Sequence, residues 1–257
     1  TVIVVEHDMR VVAASDERLN FVAVGLLYRQ GYFIQKVDSD GVQHADYADT
    51  DPRDLPVESV LTADGAWLKV TIRSAGREVY ARVWRAQVGR VPVYLLDTNC
   101  TENSNSDRDI THRLYGGDEA ARIRQEMVLG IGGLRALRAL GLAPGMFHIN
   151  EGHAAFLTLE LLREGVARGL DFDAALEATA AQCAFTTHTP VAAGHDVFHD
   201  DLFAACFGEF ALELGVPLGR LAQLGRAPRA NGGFNMTRLA LNGARRVNGV
   251  SRIHGAV

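Results

Sequence analysis

Apolar and polar positions change their period once along this chain. Up to about residue 97 they fall into short runs separated by turns. Residues 21–27 are an unbroken apolar run, and residues 32–37 alternate before meeting Asp38-Ser39-Asp40-Gly41. Further strand-like runs cover 67–72, 79–84 and 91–96, joined by Ser74-Ala75-Gly76 and by Gly89-Arg90. Residues 98–117 are polar, with Thr101-Glu102-Asn103-Ser104-Asn105-Ser106-Asp107 at their centre, and read as a surface loop. From 118 the period is helical. Ile123, Met127, Leu129, Ile131, Leu134, Leu137 and Leu140 mark the apolar face of a helix that Gly141 ends. A strand over 146–149, helices over 153–168 and 173–182 and a strand over 183–187 then make a βαβ-like passage. An amphipathic helix over about 235–245 precedes the apolar stretch 247–250. The pattern predicts an α/β fold with a strand-rich insertion in the first 100 residues, and it contains no internal repeat.

Composition narrows this reading. With 257 residues, 47% hydrophobic and 22% charged, the chain has the length and apolar content for a packed core, in one large domain or two small ones. A net charge of −5 without any basic run argues against a nucleic-acid partner. No apolar stretch approaches the roughly 20 residues of a membrane span, and no leader pattern opens the chain. Cys100, Cys183 and Cys206 lack metal-site spacing and read as buried thiols of a reducing compartment, the cytoplasm. Lysine is scarce: Lys36 and Lys69 stand among 26 basic residues. Both read as solvated strand residues, not as Schiff-base amines, which need a desolvated or cationic pocket.

The candidate chemistry sits at two strand ends. Phe147-His148-Ile149 runs into Asn150-Glu151-Gly152-His153, and Cys183-Ala184-Phe185 runs into Thr186-Thr187-His188-Thr189-Pro190. In open α/β sheets ligands bind at the carboxyl ends of parallel strands. Amide, carboxylate, hydroxyl and imidazole groups gathered there suit a polyol, whose hydroxyls need donors and acceptors together. Other motifs fail on mechanics. Gly130-Ile131-Gly132-Gly133 falls within a helix, where a dinucleotide fingerprint has no use, and reads as close helix packing. His148 and His153 lack the i,i+4 spacing of a helical zinc pair. His188, His195 and Asp196 have no serine in a strained turn to form a hydrolytic triad.

Several motifs, taken together and in order, resemble the glycogen/α-glucan phosphorylase family in its short bacterial form. They are Gly25-Leu26-Leu27-Tyr28-Arg29-Gln30-Gly31-Tyr32-Phe33, Arg113-Leu114-Tyr115-Gly116-Gly117-Asp118, Arg122-Ile123-Arg124-Gln125-Glu126, Asn150-Glu151-Gly152-His153, Thr187-His188-Thr189-Pro190 and Arg246-Val247-Asn248-Gly249-Val250-Ser251-Arg252-Ile253-His254. The resemblance runs from about residue 21 to the end. It implies that 17–257 form a partial Rossmann-like N-terminal domain of a GT-B glycosyltransferase, the C-terminal domain lying outside the chain. It also implies the reaction: phosphorolysis of terminal α-1,4-linked glucose of an α-glucan or maltodextrin by inorganic phosphate, with retention, giving glucose 1-phosphate. By the same resemblance His188 contacts the donor glucose, Asn150, Glu151 and His153 lie beside that pocket, and Asp118 belongs to a loop that gates the cleft. The family's pyridoxal phosphate lysine, its phosphate-binding basic residues and its glycine loop have no counterpart here. The chain alone is therefore expected to bind no cofactor and to be inactive; the alternative reading is a catalytically inactive carbohydrate-binding fragment.

The first 16 residues resemble something else. Thr1-Val2-Ile3-Val4-Val5-Glu6-His7-Asp8-Met9-Arg10-Val11-Val12 is similar to the switch-histidine segment of an ABC-type excision-repair ATPase, and Ala14-Ser15-Asp16 is where that likeness gives way to the other. No phosphate-binding loop accompanies it, so nucleotide hydrolysis is not expected; an ATPase-derived interaction segment is a remoter reading. Residues 1–16 read as a foreign appendage whose β-branched run 2–5 pairs at a sheet edge if it pairs at all.

Overall fold

The computed structural model describes residues 2–4 (as backbone), 17, 20–114, 116–189, 191, 194–226 and 232–251. In chain order its elements are β1 (Val2–Val4), β2 (Val22–Leu26), β3 (Ile34–Val37), β4 (Gln43–Asp46), β5 (Val57–Ser59), β6 (Lys69–Ser74), β7 (Arg77–Val88), β8 (Val91–Asp97), α1 (Asn105–Arg108), α2 (Glu119–Met127) and α3 (Gly133–Ala139). They continue with β9 (Phe147–Asn150), α4 (Phe156–Ala167), α5 (Phe172–Gln182), β10 (Cys183–Thr187), β11 (Val197–Phe198), α6 (Asp200–Glu213), α7 (Leu218–Gln223), β12 (Phe234–Asn235), α8 (Met236–Asn242) and β13 (Arg246–Gly249).

The main sheet runs β13-β10-β9-β1-β2-β8-β7-β5, with β6 also on β7. The six strands from β13 to β8 are mutually parallel, and β7, β6 and β5 extend them in antiparallel fashion. β2 is buried along its whole length, as the unbroken apolar run 21–27 requires of a central parallel strand. The strand-rich insertion lies between β2 and β8; within it β3 and β4 form a separate hairpin, exposed at every position. The chain is thus a mixed α/β structure. No helix among the described residues is long and apolar enough to cross a membrane.

Most of the expected elements are present, with informative differences. The helix expected from 118 to 140 is α2 and α3 joined by a π-helical segment, Val128–Gly132. Asp118 caps its start by accepting the Ala121 N–H, and Gly141, at φ 72°, follows its end. Gly130 inside it allows a close approach to α4, because a Cβ there would lie 2.6 Å from the Leu157 backbone nitrogen. The loop 98–117 is not wholly irregular: α1 sits in it, capped by Ser104. α6 and α7 lie in a stretch whose apolar positions suggested no element. α6 supplies Phe203 and Phe207 to a buried phenyl cluster with Phe156, Phe198 and Phe234, in which the Phe203 and Phe234 rings are 3.9 Å apart.

The edge expectation for the first residues is corrected. β1 lies inside the sheet, with Ile3 paired to Ala23 on one side and to His148 on the other. An interior position satisfies backbone N–H and C=O groups on both sides, whereas an edge leaves one side to water. Residues 5–16 of the appendage, Tyr115, Pro190 and residues 252–257 lie outside the described residues.

Candidate functional site

β9 and β10 are adjacent and parallel, in register from Phe147↔Cys183 to Asn150↔Thr186. Phe147, Ile149, Cys183 and Phe185 belong to the hydrophobic core with residues of α4 and α5. Their neighbours in sequence therefore face the other side of the sheet. There, Thr186 Oγ1 donates to Asn248 Oδ1 at 3.0 Å and stands 2.6 Å from His148 Nε2. A hydroxyl has one proton, so the His148 Nε2–H must be the donor in that second bond. A groove of about 500 Å³ lies over this polar row.

The strand order reverses between β1 and β9. After β1 the chain continues to β2 on one side, and after β9 it continues to β10 on the other. Such a reversal opens a crevice at the carboxyl ends of the strands. The residues delivered to that edge are Asn150 at the end of β9, Glu151 and His153 in the turn that follows it, Thr187 at the end of β10 and His188 just beyond it.

Glu151 is the most constrained of them. It is buried, and its backbone stands at φ 68°, ψ 168°, a region that costs a non-glycine residue about 1–3 kcal/mol. Its N–H donates to Thr186 O at 2.9 Å. Its carboxylate accepts the His188 N–H at 2.7 Å through Oε2 and the Gly152 N–H at 3.2 Å through Oε1. Gly152 sits in a tight place: a Cβ there would lie 3.2 Å from the Thr237 nitrogen at the start of α8. Beside Glu151, the Asn150 side-chain oxygen is buried and has no hydrogen-bond partner among the described residues.

A charged group lies beneath. Arg122 of α2 donates to Asp196 at 2.7 Å and lies 3.4 Å from Glu126. Burial raises the pKa of Asp196, but the Arg122 hydrogen bond and charge, with contributions from Glu126 and His153, outweigh it and hold the carboxyl below its usual value. His153 thus stands within electrostatic reach of Asp196. His195 Nδ1 is 2.8 Å from Thr237 Oγ1.

The structure therefore brings Asn150, Glu151, His153 and His188 to one sheet edge. Asp118 is engaged locally as the cap of α2, and Arg122 on the same helix pairs with Asp196. Sequence reasoning missed Arg122, Glu126 and Thr237 as site neighbours. The available signal was the i,i+4 spacing of Arg122 and Glu126, with Glu126 buried on a helix next to Met127. Among the described residues no group of three or more His, Cys, Asp or Glu side chains could hold a metal ion.

No family model matches the chain. Among curated proteins it is 44% identical over 258 residues to a glycogen phosphorylase of Mycobacterium tuberculosis, an alignment covering 95% of this chain and 30% of that protein. It is 41% identical over 244 residues to a maltodextrin phosphorylase of Thermococcus litoralis, covering 95% of this chain and 29% of the other. To a glycogen phosphorylase of Aquifex aeolicus it is 36% identical over 245 residues, covering 95% and 35%. The chain thus spans about a third of the length of these relatives.

Proposed function

Because this chain is a segment of the glycogen/maltodextrin phosphorylase family, we propose that the carboxyl ends of β9 and β10 form one wall of a glucan site, within part of the N-terminal, Rossmann-like domain of a GT-B α-glucan phosphorylase. The reaction served is phosphorolysis. Inorganic phosphate takes the anomeric carbon of the terminal α-1,4-linked glucose, the bond from that carbon to the glucan oxygen breaks, and glucose 1-phosphate leaves with retained configuration.

One observation carries this reading: two adjacent parallel strands, the first of them bordering the reversal of strand order, end together in Asn150-Glu151-Gly152-His153 and Thr187-His188. The buried Asn150 oxygen, without a hydrogen-bond partner among the described residues, adds an acceptor at the same edge. His188 is the residue for the donor glucose, Asn150 and His153 line its surroundings, and Asp118 stands at the start of α2, on the loop that would close over the cleft.

The chain's own residues do not fit the family's pyridoxal phosphate. Lys36 is ion-paired with Asp46 on the exposed β3–β4 hairpin, and Lys69 of the strand-rich insertion with Glu102 beyond β8. Neither has the desolvated or cationic surroundings that Schiff-base chemistry uses. A two-domain cleft also places reacting groups from both walls, and one wall gives binding without that positioning. The isolated chain is therefore a weak glucan binder without turnover.

Calorimetric titration with maltoheptaose, beside an assay of glucose 1-phosphate in the presence of phosphate and pyridoxal phosphate, tests the proposal. We expect weak binding, reduced about tenfold by His188→Ala as one charged or polar hydrogen bond is lost, and no product above a protein-free control. Binding indifferent to His188→Ala would overturn the site. Turnover, or a stoichiometric lysine adduct after borohydride reduction, would overturn the account of the chain as a single wall.

A further inference from the structure

We infer that Glu151 is a positioning residue: its carboxylate takes the place of its own backbone carbonyl in the ladder between β9 and β10 and so fixes the backbone from which His188 projects. The part of this inference that concerns sugar rests on the proposed glucan site.

In a parallel ladder, a residue that donates its N–H to one position of the neighbouring strand accepts, through its own C=O, from the N–H two positions further on. Glu151 donates its N–H to Thr186 O at 2.9 Å. The next rung should therefore run from the His188 N–H to the Glu151 carbonyl. It runs instead to Glu151 Oε2, at 2.7 Å. The positive φ of 68° accounts for the exchange, because it swings the carbonyl out of the ladder as the chain turns into Gly152-His153-Ala154. The carboxylate fills the vacated position and accepts the Gly152 N–H with its other oxygen.

Three consequences distinguish this role from that of a sugar ligand. Both carboxylate oxygens already accept from backbone N–H groups, and the residue is only 7% exposed. A charge-assisted bond holds an amide more firmly than a carbonyl would, which suits a loop carrying a ligand-facing side chain. A non-glycine residue in this backbone region persists only where its surroundings over-determine it, and here the three bonds to Thr186, Gly152 and His188 do so.

The test uses the full chain and four variants: Glu151→Gly, Glu151→Gln, His188→Ala and the double variant Glu151→Gly/His188→Ala. Glu151→Gly removes the clamp while relieving the backbone, so it is expected to fold. Glu151→Gln keeps the shape and one acceptor. We expect residue-resolved hydrogen exchange at the His188 amide to accelerate about tenfold or more in Glu151→Gly, as loss of a hydrogen bond to a charged group requires, and less in Glu151→Gln. With maltoheptaose as probe, Glu151→Gly should weaken binding about as much as His188→Ala, and the double variant should bind no more weakly than His188→Ala alone. Unchanged exchange at His188, or losses that multiply in the double variant, would overturn the inference. If the unsubstituted chain bound no maltoheptaose, the glucan reading would fail, while the exchange measurement would still decide whether Glu151 clamps His188.

Discussion

At the scale of single residues, the firmest electrostatic commitment outside the site is Glu160 on α4. Its side chain is fully buried, with Arg135 at 2.9 and 3.0 Å on its two oxygens and Arg163 at 2.6 Å. Burial pushes its pKa up, but the hydrogen bonds and charges of Arg163 and Arg135 outweigh that and hold it below the ordinary 4.5. A depressed folded-state pKa contributes stability that is complete above the unfolded value and disappears as pH falls through the folded one. Glu160→Gln should therefore cost about 3 kcal/mol near neutrality, in the range for breaking a buried ion pair. The gap between variant and parent should narrow below about pH 4.5, as the parent's own carboxyl protonates. Urea unfolding at several pH values checks this; a gap that stays constant or widens on acidification would contradict it.

At the scale of elements, two backbone arrangements invite direct tests. The α2–α3 helix passes α4 at Gly130, where an added methyl would lie 2.6 Å from backbone nitrogen and 2.8 Å from the Phe156 carbonyl carbon. Backbone on both sides leaves little freedom to yield, so Gly130→Ala should destabilise by about 1–3 kcal/mol, as overpacking does. An unchanged melting temperature would show that the helices separate cheaply. The second is β1, which completes ladders with β2 and β9 at once. Proline cannot donate to a ladder. Ile3→Pro, like deletion of residues 1–16, should therefore lower the unfolding free energy measured in urea by roughly 2–4 kcal/mol, and a neutral outcome would mean that the sheet stands without this strand.

Period alone revealed β2, β8, β9, β10, α4 and α5, because each is either apolar on one face or apolar throughout. It did not reveal α6 and α7. Their apolar residues serve the phenyl cluster around Phe156 and Phe234, a purpose visible only once distant segments meet. It also assigned the β-branched run at the start to a sheet edge, since nothing local distinguishes an edge strand from an interior one.

At the scale of the whole molecule, the site was legible wherever an apolar run breaks into polar residues, which is how Asn150, Glu151, His153 and His188 stood out. What joins them was not. The Glu151–His188 bond spans 37 positions, and the Arg122–Asp196 pair spans 74. Both depend on the parallel packing of β9 against β10 and on the lie of α2. The fold supplies a single edge on which these groups converge, and the account holds that a glucan binds there. Titration of the isotope-labelled chain with maltoheptaose, followed amide by amide, tests this most directly. The account expects progressive shifts at residues 150–153 and 187–189, with the β3–β4 hairpin unmoved. A titration that leaves those amides in place, or moves only the hairpin, would contradict it.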